Sequence, residues 1–284
     1  MHRHCLNLLM SAFFGVMMLG TGAARADLTY VATRAGLFGT IETSTGAFTQ
    51  IGQPSRVYAD FASLTFGPGG KLYALSDENN ITLNTINTVT GAATLIGSTN
   101  LHNYLGVNDI VSYGLASTPD GSLFAYRGDT HSKTLLFQLD PATAAPTQIG
   151  GVGSLIQGGF QGDDSGNLYA TGGNIGPPYP SGKGIYRINP TTAAGTLIGE
   201  SSAGAGLALA FANHMMYSFV PDGTIDRLDL TNGQSTFVST YNVSAIGIIY
   251  GAAAPHAVPE PSTLCLTAVG LLGFAARAIR RKKS

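Results

Sequence analysis

The sequence is poor in charge and nearly devoid of cysteine. Only 11% of its 284 residues are charged, and its two cysteines, Cys5 and Cys265, lie close to the two chain ends. Residues 27–258 therefore contain no thiol. That absence excludes an internal disulfide, a cysteine nucleophile and thioether attachment of a haem, and leaves a large apolar core to hold the fold together. The stretch is long enough to build one. Enzyme signatures are missing too: there is no Gly-x-Ser-x-Gly, no His-Glu-x-x-His and no phosphate-binding loop. His102, His131, His214 and His256 are scattered, which argues against a shared zinc site. The expectation is a protein without catalytic residues, metal or cofactor. One catalytic class stays open, because the separation of two carboxylates that cleave a polysaccharide is a property of the fold. Long helical periodicity is absent except at the ends.

The first end reads as a signal peptide over residues 1–26. Arg3 precedes an apolar run from Leu6 to Gly20, and the small residues Ala24 and Ala26 flank Arg25 before Asp27, as signal peptidase requires. The run is shorter than the ~20 apolar residues of a membrane span. At the other end, the apolar segment Leu264 to Ala276 precedes Arg277, Arg280, Arg281, Lys282 and Lys283. Such a cluster resists translocation, so the segment is expected to be a single transmembrane helix of marginal length held from the cytoplasmic side. A plain tail anchor would look the same from these features alone.

Directly ahead of that helix stands Val258-Pro259-Glu260-Pro261-Ser262-Thr263. Pro-Glu-Pro, one short apolar helix and a terminal basic cluster, together spanning residues 259–284, resemble the PEP-CTERM sorting signal of Gram-negative bacteria. The resemblance implies recognition by an exosortase-like membrane protease acting around Pro259, Glu260 and Pro261, removal of the helix, and release or attachment at the cell surface. It is a setting often associated with exopolysaccharide. Prolines keep such a segment extended and accessible. Residues 252–258, rich in Ala and Pro, read as a spacer.

Removing both ends changes the charge. The whole chain sums to −1, but residues 27–258 hold eight Lys and Arg against fifteen Asp and Glu, and eight minus fifteen is −7. An acidic domain argues against nucleic acid or an anionic lipid surface as partner.

What the interior does have is repetition. Ile41-Glu42-Thr43-Ser44-Thr45-Gly46-Ala47-Phe48-Thr49-Gln50-Ile51-Gly52 returns from Ile86 to Gly97, from Leu139 to Gly150 and from Ile188 to Gly199, and more weakly from Leu228 to Val238. The turn positions 46, 91, 144, 193 and 233 are spaced by 45, 53, 49 and 40 residues. Those are periods of propeller blades. Each unit reads as strand, tight turn, strand. A second hairpin precedes it, clearest from Leu64 to Ala74, Leu115 to Ala125 and Phe160 to Ala170, with Gly and Asp at the reversal. Each repeat thus holds four antiparallel strands.

The first repeat lacks its opening strand, because residues 27–31 match the second strand of the others. The missing piece is Ala245 to Gly251 at the far end of the repeats. Pairing the two orphans closes a ring without an exposed sheet edge. The expected fold is therefore all-β: a five-bladed β-propeller of four-stranded antiparallel blades over residues 27–251, with a composite first blade. An open solenoid would leave both orphans unpaired. The Leu-Tyr-Ala strands and Asn-Pro-x-Thr turns also resemble YVTN, NHL and quinoprotein-type propellers, a likeness of fold that carries over no functional residues.

Strand order sorts the connections by face. First-to-second and third-to-fourth turns share one face and are tight. Second-to-third turns and blade-to-blade links share the other, which receives residues 53–60, 98–110, 127–134 and 171–184. Long loops on a rigid ring are where binding residues gather. Candidates for ligand contact there are Tyr58, His102, Tyr104, Asp109, Arg127, Asp129, His131 and Tyr179. Tyrosines among Asn, Asp and His suit sugar rings, so polysaccharide or another surface protein is the expected partner, and a second copy of the chain a further one. Asp163-Asp164-Ser165-Gly166-Asn167 has the residue types of a calcium loop but not the alternating ligands and closing Glu, and reads as a hairpin turn. Arg127-Gly128-Asp129 matches an adhesion tripeptide only by chance composition.

Overall fold

The computed structural model describes residues 28–52, 61–76, 81–101, 110–129, 134–153, 156–172, 184–201 and 206–255. In chain order the strands are β1 (Leu28–Thr33), β2 (Phe38–Glu42), β3 (Phe48–Gln50), β4 (Phe61–Phe66), β5 (Leu72–Ser76), β6 (Thr82–Ile86) and β7 (Ala93–Ser98). They continue as β8 (Ile110–Ser117), β9 (Leu123–Asp129), β10 (Thr134–Leu139), β11 (Pro146–Gly151), β12 (Ile156–Gly162), β13 (Leu168–Gly172), β14 (Gly184–Ile188) and β15 (Gly195–Glu200). The last are β16 (Ala208–Ala212), β17 (Met215–Phe219), β18 (Thr224–Leu228), β19 (Ser235–Thr240) and β20 (Ile249–Ala253). They form five four-stranded antiparallel sheets: β20-β1-β2-β3, then β4 to β7, β8 to β11, β12 to β15 and β16 to β19. The first strands adjoin in a circle, β20 beside β4, β4 beside β8, β8 beside β12, β12 beside β16 and β16 beside β20. The molecule is a five-bladed β-propeller and not an open solenoid.

Blade 1 is composite, as the orphan strands require. Tyr30 pairs with Ala253, Val31 with Ala252 and Ala32 with Gly251. The closing strand sits later than its sequence suggests. Ala245 and Ile246 belong to a short helix, α1 (Val243–Ile246), because the Asn242 side chain accepts from Ala245 N and Gly247, at φ 81°, ends the turn. Strand β20 then continues to Ala253, so Ala252 and Ala253 belong to the sheet and not to the spacer.

Blade registers superpose. Thr29, Leu72, Leu123, Leu168 and Met216 face Ile41, Ile86, Leu139, Ile188 and Leu228 across the second and third strands. One step on, Tyr30, Tyr73, Phe124, Tyr169 and Tyr217 supply an aromatic in every blade. The apolar faces meet between blades: Phe38 and Ala253 of blade 1 pack with Leu64, Leu72 and Ile86 of blade 2. Burying a side chain of that size stabilises by about 1.5–3 kcal/mol, so a cysteine-free ring can rest on these seams.

The repeat has a second purpose beyond its turn. In each third-to-fourth connection the residue at 46, 91, 144, 193 or 233 donates its N–H to the carbonyl four residues earlier and takes a positive φ. At the end of each unit, Gly97 lies against the carbonyl of Thr143 in the next blade, Gly150 against Thr192 and Gly199 against Asn232. A side chain there would meet the neighbour's backbone. In blade 5 the equivalent residue is Ser239, which donates through Oγ to the Thr43 carbonyl at 2.6 Å. The glycine that ends each repeat is thus the seat of the next blade's turn.

Candidate functional site

The two ends of the strands carry different connections. On the face of tight turns the polar side chains close the chain upon itself. Asn87 Oδ1 accepts from Val89 N and Thr90 N, both at 2.9 Å, and Asn189 Oδ1 from Thr191 N at 2.8 Å and Thr192 N at 3.0 Å. These bonds take the place of secondary structure within the turn. Asp163 is spent in the same way. Its Oδ1 accepts from Ser165 N and Asn167 N, and its Oδ2 from Asn167 Nδ2 and the Tyr169 hydroxyl. Burial is the main cause that pushes the Tyr169 hydroxyl up to about 12, with the adjacent Asp163 charge adding to it. The candidate calcium loop is therefore a hairpin turn built around one carboxylate. Among the described residues no three His, Cys, Asp or Glu converge as a metal site would need.

Between blades 3 and 4 this face opens into a cleft of about 600 Å³. Its floor includes Phe124 and Ile149, and its rim comes from the 118–122, 163–167 and 189–194 turns. At the rim Asp164 Oδ2 lies 2.7 Å from His214 Nδ1, which joins blade 4 to the Asn213-His214 turn of blade 5. Sequence reading passed over this cleft because each turn, taken alone, is an ordinary reversal.

On the other face the candidate residues Tyr58, His102, Tyr104, Asp109, His131 and Tyr179 lie outside the described residues. So do Ala24, Ala26, Pro259, Glu260, Pro261 and the basic cluster Arg277, Arg280, Arg281, Lys282 and Lys283, along with both expected terminal helices. Among the described residues no helix is long and apolar enough to cross a membrane. The structure does place Arg127 and the backbone of Asp129, and there it corrects the expectation of a loop beginning at 127. Strand β9 runs on to Asp129, because Arg127 pairs with Tyr113 and Leu135 and Gly128 with Thr134. Arg127 is completely buried, so it is not part of an exposed contact surface, and Arg127-Gly128-Asp129 is strand rather than loop tip. The strand's further length is invisible in the local residues, since a Gly in this position reads as a break.

A buried acid was also missed. Asp226, midway along β18, is 2% exposed, and among the described residues its Oδ2 has no hydrogen-bond partner. Burial, helped by the charge of Asp222, raises its pKa above the ordinary aspartate value. Its place in the repeat is held by Gly39, Asn84, Phe137 and Tyr186 in the other blades, so no repeat pattern announces an acid.

Comparison with known proteins settles the C-terminal end. Residues 257–282 match the PEP-CTERM protein-sorting motif. The chain carries a PEP-CTERM tail. Such a tail marks an exported protein that is anchored in the membrane and processed by an exosortase on its way to the cell surface. The match begins two residues before Pro259 and ends at Lys282. No curated protein sequence matches the chain.

Solved structures similar to this PEP-CTERM chain match it at low identity. The PQQ-bound aldose sugar dehydrogenase of Streptomyces coelicolor is 17% identical over 61% of this chain and 60% of its own, with a TM-score of 0.43. TolB of Acinetobacter baumannii is 12% identical over 82% and 71%, with a TM-score of 0.42. A protein of unknown function from Bacteroides thetaiotaomicron is 13% identical over 76% and 56%, with a TM-score of 0.48. This chain thus spans about 60% of the length of the first of these.

Proposed function

We propose that the protein is a non-catalytic binding or scaffold module of the cell surface or extracellular matrix, and that it holds exopolysaccharide on the face opposite the tight turns. What carries the reading is the asymmetry of the ring. Its tight-turn face is closed by internal hydrogen bonds, while the 99–109 and 173–183 connections leave the opposite face from strands locked in register. Long connections on a rigid scaffold are suited to recognition, and Tyr104 and Tyr179 lie in those two. The sorting tail supports the setting, because it marks an exported protein.

In this reading the leader is cut after Ala26 by signal peptidase in a Gram-negative cell, and the tail near Pro259-Glu260-Pro261 by an exosortase-like protease. A mass measurement of the mature form locates both cuts.

The binding claim is tested by retention on the producer's own exopolysaccharide. Tyr104→Ala and Tyr179→Ala are each expected to weaken retention without lowering the thermal midpoint, and unchanged retention of both disposes of the reading. Incubation of the purified protein with envelope polysaccharide is expected to release no new reducing ends. Their appearance would replace binding by cleavage, the act of a secreted hydrolase or lyase.

A further inference from the structure

The ring is entered and left on one face, close to its axis. Strand β20 runs antiparallel to β1 with Ala253 opposite Tyr30, and β1 begins at Leu28 opposite Glu42, which leads into the tight 43–47 turn. The chain therefore leaves β20 where the other four blades have their first-to-second turns, at 67–71, 118–122, 163–167 and 213–214. Ala254 is still buried and Pro255 is exposed, and the sorting motif matches from residue 257. The exit is central because β20 is a first strand, adjoining β4 and β16 in the inner circle. In the order β20-β1-β2-β3 the fourth strand lies three spacings farther out, about 14 Å.

We propose that the membrane-anchored precursor stands with its tight-turn face against the bilayer and its long-connection face turned away, held so by the point at which its tail leaves the ring. The inference rests on the anchoring that the sorting tail marks, and it gives the exopolysaccharide reading a direction. The connections that hold Tyr104 and Tyr179 are then open to polymer before the tail is removed.

Reach supports this orientation. Residues 254–263 precede the apolar segment that begins at Leu264, and ten residues extend to at most about 36 Å. To bring the opposite face to the membrane, the connection would cross about 14 Å of blade and then pass a six-residue strand, about 20 Å long. That uses nearly the whole reach before any side chain has been cleared. Attraction to lipid does not supply the orientation. Among the described residues the tight turns carry five aspartates, Asp120 and Asp229 among them, against one lysine, Lys71, and His214. Anionic lipid repels such a face, so the tether acts alone.

Fluorescence quenching on the precursor with its tail tests this. In a Cys265→Ser background, single thiols are introduced by Val89→Cys or Thr191→Cys in the tight turns, and by Ala35→Cys or Asp222→Cys at the opposite ends of the strands. All four positions are exposed. Each variant is labelled with a fluorophore and placed in phosphatidylcholine nanodiscs that contain a lipid with a nitroxide head group. The tight-turn labels are expected to be quenched at least about threefold more than the other pair, because ~20 Å of sheet separates the two sets. Equal quenching, or the reverse order, overturns the proposal. Each face carries two labels, so a variant that does not fold leaves the comparison standing. Insertion of a Gly-Ser segment of about twenty residues between Pro255 and His256 adds roughly 25 Å of flexible reach, and is expected to bring the ratio close to one. A ratio that survives the insertion also overturns the proposal, since a contact with lipid and not the exit of the tail would then hold the ring. The labels report nothing of polysaccharide, so orientation and exopolysaccharide retention fail separately.

Discussion

In its tight turns the ring holds its acids ionised, and within one strand it buries one against its charge. Asp120, Asp140 and Asp229 sit in tight turns where hydrogen bonds hold their carboxyls below the ordinary range, from Thr118 in the first, from Ala142 N in the second and from Thr231 in the third. Asp226, midway along β18, is shifted the other way by burial. The same residue type thus strengthens the fold in the turns and burdens it inside the sheet. Turns that satisfy their own polar groups need no ligand, whereas a buried acid with an unpartnered oxygen marks a place where stability has been set aside.

The largest effect expected from testing this contrast concerns the tight end. Gly46 has φ 73° and a side chain there would collide with the Thr240 carbonyl of blade 5, whereas Gly69, at φ 68°, has open space around it. Gly46→Ala is expected to cost about 3 kcal/mol in urea unfolding, the sum of backbone strain and the displaced neighbour, and Gly69→Ala only about 1 kcal/mol. Equal losses would mean that the closing seam between blades 5 and 1 is not tightly seated.

Next in size is Asp226→Asn, expected to stabilise the protein by about 1 kcal/mol at pH 7. The sign follows from the raised pKa. A carboxyl that holds its proton more tightly in the fold contributes stability at low pH, and that contribution is lost as pH rises through the window above the ordinary aspartate value. The difference between variant and native protein should therefore vanish in acid, below that window. The turn acids contribute in the opposite sense, their stability being present at neutral pH and lost on acidification. Thermal midpoints measured from pH 3 to 8 check both slopes, and a gap that stays constant with pH would remove Asp226 from the contrast.

The smallest effect is Asn189→Ala, about 0.5–1 kcal/mol, because its oxygen serves two backbone N–H groups in an exposed turn that water can partly satisfy. A thermal midpoint lowered as far as that of Gly46→Ala would show the turn to be a keystone rather than a local closure.

Much of this architecture was legible because a repeated unit has to bury the same face five times. The period, the four strands per blade and the shared first sheet all follow from residues that recur, such as Thr-x-Ile-Gly, and from the two unmatched strands. The role of the recurring glycine was not legible. Gly97 and Gly199 look like turn or strand-end residues, and only the neighbouring blade's carbonyl explains them. The limits of β20 escaped for a similar reason, since the Asn242 cap turns an apolar run into one helical turn.

The candidate sites divide in the same way. Local composition could nominate Tyr104 or Tyr179, because loop length and residue type are properties of the chain. It could not reveal that Arg127 is buried, that Asp226 Oδ2 has no hydrogen-bond partner among the described residues or that Asp120 and Asp164 line one cleft, because each depends on what the fold brings within a few ångströms. The sequence by itself determined the sorting tail, the acidic stretch of residues 27–258 and its lack of thiols, and the five-fold repeat, since these rest on residue identity and on spacing along one chain. The tertiary structure alone decided which polar groups are satisfied and which are buried against their charge, because hydrogen bonding and desolvation are set by neighbours distant in sequence.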